Sequence, residues 1–279
     1  MPTPVTAIIC VRNEEAYLRT TLSHLVRNSV RLMIIDNGST DGTRRILDEF
    51  GASIDQHERL EWLGALDLVA ILEVKARLAQ RLREGWIIHQ DADEILGSNL
   101  PHETLRGAIE RIGATGANAI NFEEFVFLPL GGISIAGTDF SSSLRHYYFH
   151  EPRKLRLMRA WRAESNLSQA GGGHVVTEPG RHLHPENLVL RHYPFLNAEH
   201  ARRKYQTRKF AERGVARGWH RNRMRIEPSD MEFPSAARLK TWVPGQPLDT
   251  SDPWTCHYWV ARRDVRLSGS GSSDSRALP

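Results

Sequence analysis

The chain is expected to fold as an α/β protein with a mostly parallel sheet flanked by helices. Two observations predict this. Short apolar runs, Thr6–Val11, Leu32–Ile35 and Trp86–Ile88, alternate with longer stretches of helical period. Each run then ends in polar or acidic residues: Arg12-Asn13-Glu14-Glu15, Asp36, and Asp91-Ala92-Asp93-Glu94. Apolar runs this short read as strands buried on both faces, and alternation with helices implies a parallel sheet with right-handed crossovers. The acid-bearing ends then open on one edge, where open α/β sheets hold their ligands.

In order, Thr6–Val11 is the first strand. Asn13 is placed to cap a helix carrying Tyr17, Leu18, Leu22, Leu25 and Val26, with Glu14 and Glu15 in its favourable first turn. Leu32–Ile35 is the second strand. Asn37-Gly38-Ser39-Thr40-Asp41-Gly42 is turn chemistry, and Thr40 or Asp41 can cap a helix with Ile46, Leu47 and Phe50. Residues 52–55 read as a short strand, 67–84 as a helix, and Trp86–Gln90 as the strand leading to Asp91. Pro101 suits the first turn of a helix running to Ile112. Asn118–Phe127 reads as a further strand. If the backbone stays extended from Asp91 to Asp93, the two carboxylates point the same way, about 6.5–7 Å apart. Like charges that close raise each other's pKa unless a cation intervenes, and a hard divalent ion carrying phosphate would serve.

The 279 residues are 40% hydrophobic and 25% charged, which is globular rather than disordered. Two cysteines, Cys10 and Cys256, fit a reducing compartment and exclude a Cys-based zinc site. No basic n-region precedes the first apolar run and no run of about 18 apolar residues occurs. The expected location is therefore cytoplasmic. A net charge of +4 suits an anionic substrate or surface. Neither a Gly-x-Gly-x-x-Gly fingerprint nor a P-loop is present.

Cys10–Glu15, Ile34–Thr43 and Asp91–Glu94 together resemble the family 2 glycosyltransferases of the GT-A (Rossmann-like) fold. The resemblance covers about the first 125 residues. It implies a nucleotide-sugar-binding half over 1–127 and a less regular acceptor-side half of the same domain over 128–262. Composition alone adds a basic helix at 198–225 and a Ser/Gly-rich, disordered tail at 263–279. It implies a metal-dependent hexosyltransferase, inverting, that moves sugar from a nucleotide-diphosphate donor such as a UDP-sugar to a saccharide or lipid-linked acceptor. Val11, Asn13, Glu14, Asp36, Arg77 and Asp91 would bind the donor. Asp91, Asp93 and His192 would bind Mn²⁺ or Mg²⁺, with His174, His182 and His184 as competitors for the histidine role. Glu123 or Glu124 would be the general base; strand alternation lets at most one enter the cleft, and Glu178 and Glu186 are alternatives. The alternative reading is a non-catalytic GT-A-like protein that binds glycans or nucleotides.

Beyond residue 128, Lys154, Arg156, Arg159 and Arg162 form a basic patch with Trp161. Gly171–Gly173 suits a lid loop. Ala198–Gly214 reads as a helix rich in Arg and Lys, and Arg217, Arg221, Arg223 and Arg225 continue the charge. That run fits peripheral contact with an anionic membrane. Nucleic acid is not expected, since no zinc knuckle, RNP pattern or aromatic platform accompanies the charge.

Overall fold

The computed structural model describes residues 3–130, 139–152, 157–165, 169–177, 180–220, 223–224, 226 and 232–258. Lys154, Arg156, Glu178, Arg221, Arg225 and the expected tail lie outside them.

The chain opens β1 (Val5–Val11), α1 (Leu18–Arg27), β2 (Arg31–Asp36), α2 (Thr43–Glu49), β3 (Ile54–Arg59), α3 (Leu68–Ala79) and β4 (Trp86–Gln90). The four strands are parallel, in the order β3-β2-β1-β4. Burial on both faces explains why β1 and β4 read as apolar runs. Ile9, Ile34 and Ile88 face one core with α1, while Ile8, Met33 and Ile87 face α3 on the other side. Each such side chain contributes about 1.5–3 kcal/mol relative to exposure. Asp67 caps α3, its side chain accepting from the Ala70 N–H at 3.1 Å. Asn13 does not cap α1. It sits at φ 55° and its amide oxygen accepts from the Thr40 N–H at 2.7 Å, so it ties two loops together instead.

Next come β5 (Glu94–Gly97), α4 (Leu105–Gly113), β6 (Ala119–Ile120), β7 (Phe122–Leu128), α5 (Phe140–Ser143), β8 (His146–Phe149) and β9 (Ala160–Arg162). Pro101 precedes α4 instead of lying in its first turn, and Thr104 is the cap. The expected single strand over 118–127 is two strands in different sheets. Asn121 marks the crossing: its Oδ1 accepts from the Leu157 N–H at 2.8 Å, and its Nδ2 donates to Asn187 at 3.2 Å. β9 adds an antiparallel strand beside β4, and β6 pairs antiparallel with β9 at the sheet's edge.

The remainder is β10 (Gln169–Ala170), β11 (Val175–Val176), β12 (Leu188–His192), α6 (Ala198–Thr207), α7 (Glu212–Ala216) and β13 (Lys240–Thr241). β13, β8, β7, β12 and β5 form a second sheet in that order, mostly antiparallel. The expected single basic helix is two. α6 ends at Thr207, the next residue Arg208 is extended, and α7 starts at Glu212. One core runs through both sheets, from Val5 and Trp86 to Phe125, Tyr147 and Leu190. Among the described residues, no helix is long and apolar enough to cross a membrane.

Candidate functional site

The ends of β1, β2 and β4 meet on one edge, as the alternation of strands and helices requires. At the end of β2, Asp36 is buried and accepts from the Ser39 N–H at 2.8 Å and from Arg44 Nε at 2.9 Å. Burial would raise its pKa, but the Ser39 hydrogen bonds and Arg44 outweigh it and hold the carboxyl below its ordinary value. Val11 puts its side chain into the core and only its backbone toward the edge, where its carbonyl accepts from the Asn37 N–H at 2.9 Å. The Arg12 guanidinium lies 3.6 Å from the Trp62 ring centroid and donates to the Asn37 carbonyl at 3.1 Å, which stiffens the loop after β2.

Between β4 and β5 the backbone turns, with the Glu94 N–H donating to the Asp91 carbonyl at 3.2 Å. The Gln90 side chain braces that turn, donating to the Asp91 and Glu94 carbonyls at 2.8 and 2.9 Å. The extended conformation expected over 91–93 is therefore absent, and the two carboxylates have different surroundings. Asp91 faces Arg159 at 3.3 Å, His89 at 3.5 Å and Lys75 at 4.0 Å. Asp93 faces Lys204 Nζ at 2.9 Å and His192 Nε2 at 3.6 Å. Burial alone would raise the Asp93 pKa, but Lys204 and His192 hold it far below the ordinary carboxylate range. Two further acids go the other way. Burial lifts both Glu14 and Glu94 to about 7, and Asp91 and Asp93 nearby add to the lift. Glu94 stays paired with Arg159 in the core.

His192 ends β12. Its Nδ1 contacts Glu124 Oε1 at 2.8 Å, and its Nε2 faces Asp93. Of the two glutamates on β7, Glu124 is thus the one turned to this edge. Glu123 accepts from Asn187 Nδ2 at 3.2 Å. Burial would lower the His192 pKa, but the carboxylates of Asp93 and Glu124 on either side of its ring raise it to about 10 from an ordinary 6.5. A base whose pKa is raised on folding stabilises fully below the unfolded value and loses that contribution as pH rises through the folded one. With a chelator present, melting temperature is expected to fall between pH 7 and pH 10. In His192→Gln the curve should start lower and be flatter over that window. Equal slopes in the two proteins would show that His192 is not a buried cation.

Arg77 stands apart, paired with Glu58 at 2.6 Å on the half-exposed side of α3. Lys75, two residues earlier, is the α3 cation that reaches the edge. It is buried and meets His89 Nε2 at 3.0 Å. Gly171–Gly173 forms a tight turn rather than an open lid, all three glycines at positive φ. A Cβ on Gly173 would meet His89 Cε1 at 2.8 Å, so the turn is packed on the ring beside Asp91. His182 hydrogen-bonds around Asn118 and Gly116, and Glu186 binds Arg111 at 2.7 Å; neither joins the edge. His184 instead accepts from the Glu186 N–H at 3.2 Å. His174 lies close enough to the edge to feel Arg159 and His89, and desolvation first and those charges next push its pKa down to about 3. Lys75, Lys204 and Trp62 were not singled out from sequence as site residues. Each comes from a remote segment, and no local pattern signals the pairing.

Asp91, Asp93 and His192 do not close into one compact ligand set. Among the described residues, the side chains whose ligand atoms lie within 4.8 Å of one another are Glu124, His150 and His257. Asp93 and His192 still suit two positions around a hard divalent ion completed by donor oxygens, once Lys204 and the His192 proton move aside.

The family model described as Glycosyl transferase family 2 matches residues 6–120. A search of curated proteins finds no match. Similar solved structures include S. aureus TarS 1-349, 11% identical over 73% of this chain and 63% of that one, with a TM-score of 0.43. Another is GalNAc-T7 with UDP, GalNAc and Mn2+, 14% identical over 72% of this chain and 47% of that one, TM-score 0.43. The chain thus spans about 63% of the length of the TarS structure it matches.

Proposed function

We propose that this chain, whose residues 6–120 match the glycosyl transferase family 2 model, transfers a sugar from a nucleotide-diphosphate donor to a saccharide or lipid-linked acceptor. The observation that carries the reading is the gathering of Asp36, Asp91 and Asp93 at the ends of parallel strands, beside the cations Lys75, Arg159 and Lys204. Asp36 and the loop braced by Arg12 and Trp62 hold the nucleoside, with Asn13 and Glu14 at its border. Asp91 meets the ribose or an ordered water. Asp93 and His192 would hold a divalent ion such as Mn²⁺, which when bound would offset charge on the departing diphosphate.

The protein's own residues do the rest. Arg159, held beside Asp91, and Lys204, once released from Asp93, would meet the negative charge that grows as the sugar–phosphate bond breaks and so favour the transition state over the ground state. Glu124 is a positioning residue. It holds His192 Nδ1 so that Nε2 points at Asp93. The second sheet and α6 form the acceptor side, and the exposed Arg202, Arg203 and Lys209 would meet an anionic acceptor or membrane surface.

The test is a thermal-shift panel of nucleoside diphosphates, UDP first, with and without Mn²⁺, followed by product analysis with the matching nucleotide sugars. A ligand that binds only the folded chain raises its melting temperature; at 100 times its Kd the gain is about 2.7 kcal/mol. One diphosphate that stabilises only with Mn²⁺, and whose sugar is released, is the expected result. No stabilisation by any diphosphate would refute the reading.

A further inference from the structure

The compact ligand set noted above meets the donor edge only through Glu124, and the transferase reading uses neither of its histidines. β7 and β8 run antiparallel, with Phe125 opposite Phe149. Glu124 and His150 are the next pair along, tied by the His150 N–H donating to the Glu124 carbonyl at 2.9 Å. Residues directly opposite in such a pair share a face. The third member comes from the end of the described chain. Trp254 bridges to His150, its N–H donates to the Phe149 carbonyl at 2.8 Å, and its ring stacks on Tyr148 at 4.5 Å. That anchorage delivers His257, whose ring centroid lies 4.7 Å from that of His150.

We infer that Glu124, His150 and His257 form a second metal site, distinct from the donor edge, that takes a zinc-like transition ion. Three observations support it. The ligand atoms of all three lie within 4.8 Å of one another, and Glu124 and His150 are buried. A four-coordinate zinc site with bonds of about 2.0–2.1 Å needs them only modestly closer. The donor set is two imidazoles and one carboxylate. That set suits Zn²⁺ and leaves a fourth position open, whereas Mg²⁺ and Ca²⁺ favour oxygen alone. An outer shell also stands in place. Tyr148 Oη meets His257 Nδ1 at 2.8 Å, and the Glu151 carbonyl lies 3.3 Å from His150 Nδ1. Partners on Nδ1 orient an imidazole so that Nε2 faces the ion.

The ion would fasten residues 249–258 to the second sheet. It would also share the Glu124 carboxylate with His192, so its charge would reach the donor edge through one side chain. The inference goes beyond the transferase reading and does not need it, because the site requires no nucleotide.

The experiment uses the untagged full chain, stripped with chelator, and titrates it with ZnCl₂ in the absence of nucleotide. Calorimetry and elemental analysis read affinity and stoichiometry. The expected result is one Zn²⁺ per chain, bound at least about 100-fold more weakly in His257→Gln and about 10-fold more weakly in Tyr148→Phe. Asp93→Ala should bind Zn²⁺ as wild type does. His257 is only half-buried, so its variant is expected to fold, and a melting curve without zinc checks this. Co²⁺ in place of zinc should give the visible absorption of a tetrahedral site in wild type and lose it in His257→Gln. No stoichiometric zinc, or equal affinity in wild type and His257→Gln, would overturn the site. Loss of zinc in Asp93→Ala with retention in His257→Gln would move it to the donor edge.

Discussion

Asp93→Ala is expected to lower release of nucleoside diphosphate from the preferred nucleotide sugar at least about 100-fold, the usual cost of removing one preorganised electrostatic partner of a transition state. Asp93 is the acid on which a lysine from α6 and a histidine from β12 converge, at 2.9 and 3.6 Å. Among the described residues, no other carboxylate on the edge has that position. Asp91 is held by Arg159, and Glu94 is buried behind it. Loss should appear mainly in kcat, because the charge Asp93 helps to balance grows as the bond breaks. Removing it also strands Lys204 and His192 beside each other, so some stability will be lost. Asp93→Asn keeps the volume and separates the two effects. It should fold nearly as well as wild type and still fail to turn over. Turnover within about threefold of wild type in both variants would end the case for Asp93.

Much of the first half was legible because its signals are local. A strand buried on both faces must be apolar along its length, so β1, β2 and β4 announced themselves, and the acids that follow them were bound to share an edge once the strands were parallel. The alternation rule also held at Glu123 and Glu124, which face different neighbours. What failed were statements that need geometry. The turn over 91–93 was hidden because Asp-Ala-Asp is compatible with both extended and turned backbone, and the choice is made by Gln90, which satisfies the carbonyls of the turn. The break at Asn121 was hidden because either sheet alone would accept the run 119–127. Lys204 belongs to the basic run of Ala198–Gly214, yet its ammonium turns inward onto Asp93 and the Pro194 carbonyl while Arg202 and Arg203 stay exposed. Charge counted along a helix does not say which cation will be drawn to a buried acid. β12 lies between β7 and β5, about 60 and 90 residues away in sequence, and nothing local encodes that register.

The largest effect on stability is expected at Arg159. This guanidinium is buried in the core, ion-paired with Glu94 and 3.3 Å from Asp91. Breaking a buried pair from one side leaves an uncompensated charge and costs about 3–5 kcal/mol. Arg159→Met keeps most of the side-chain volume, so the loss is electrostatic rather than a cavity. At about 2–4 °C per kcal/mol, the melting temperature should drop by roughly 6–20 °C. The pH dependence is diagnostic. Glu94 already has its pKa raised to about 7, by burial first and then by its acidic neighbours. An acid raised on folding binds its proton more tightly in the native state, so its contribution is present below about 4.5 and shrinks as pH rises through about 7. Without Arg159 the native carboxyl must stay protonated to higher pH still. The deficit of Arg159→Met relative to wild type should therefore be small at pH 5 and grow toward pH 8. Adding Glu94→Gln removes the buried charge itself, and the double variant should recover most of the loss at pH 8. Urea midpoints of the four proteins of this cycle at the two pH values decide the matter. A deficit that does not change with pH, or a double variant as unstable as the two losses summed, would mean that Arg159 acts by packing and that Glu94 is not its charge partner.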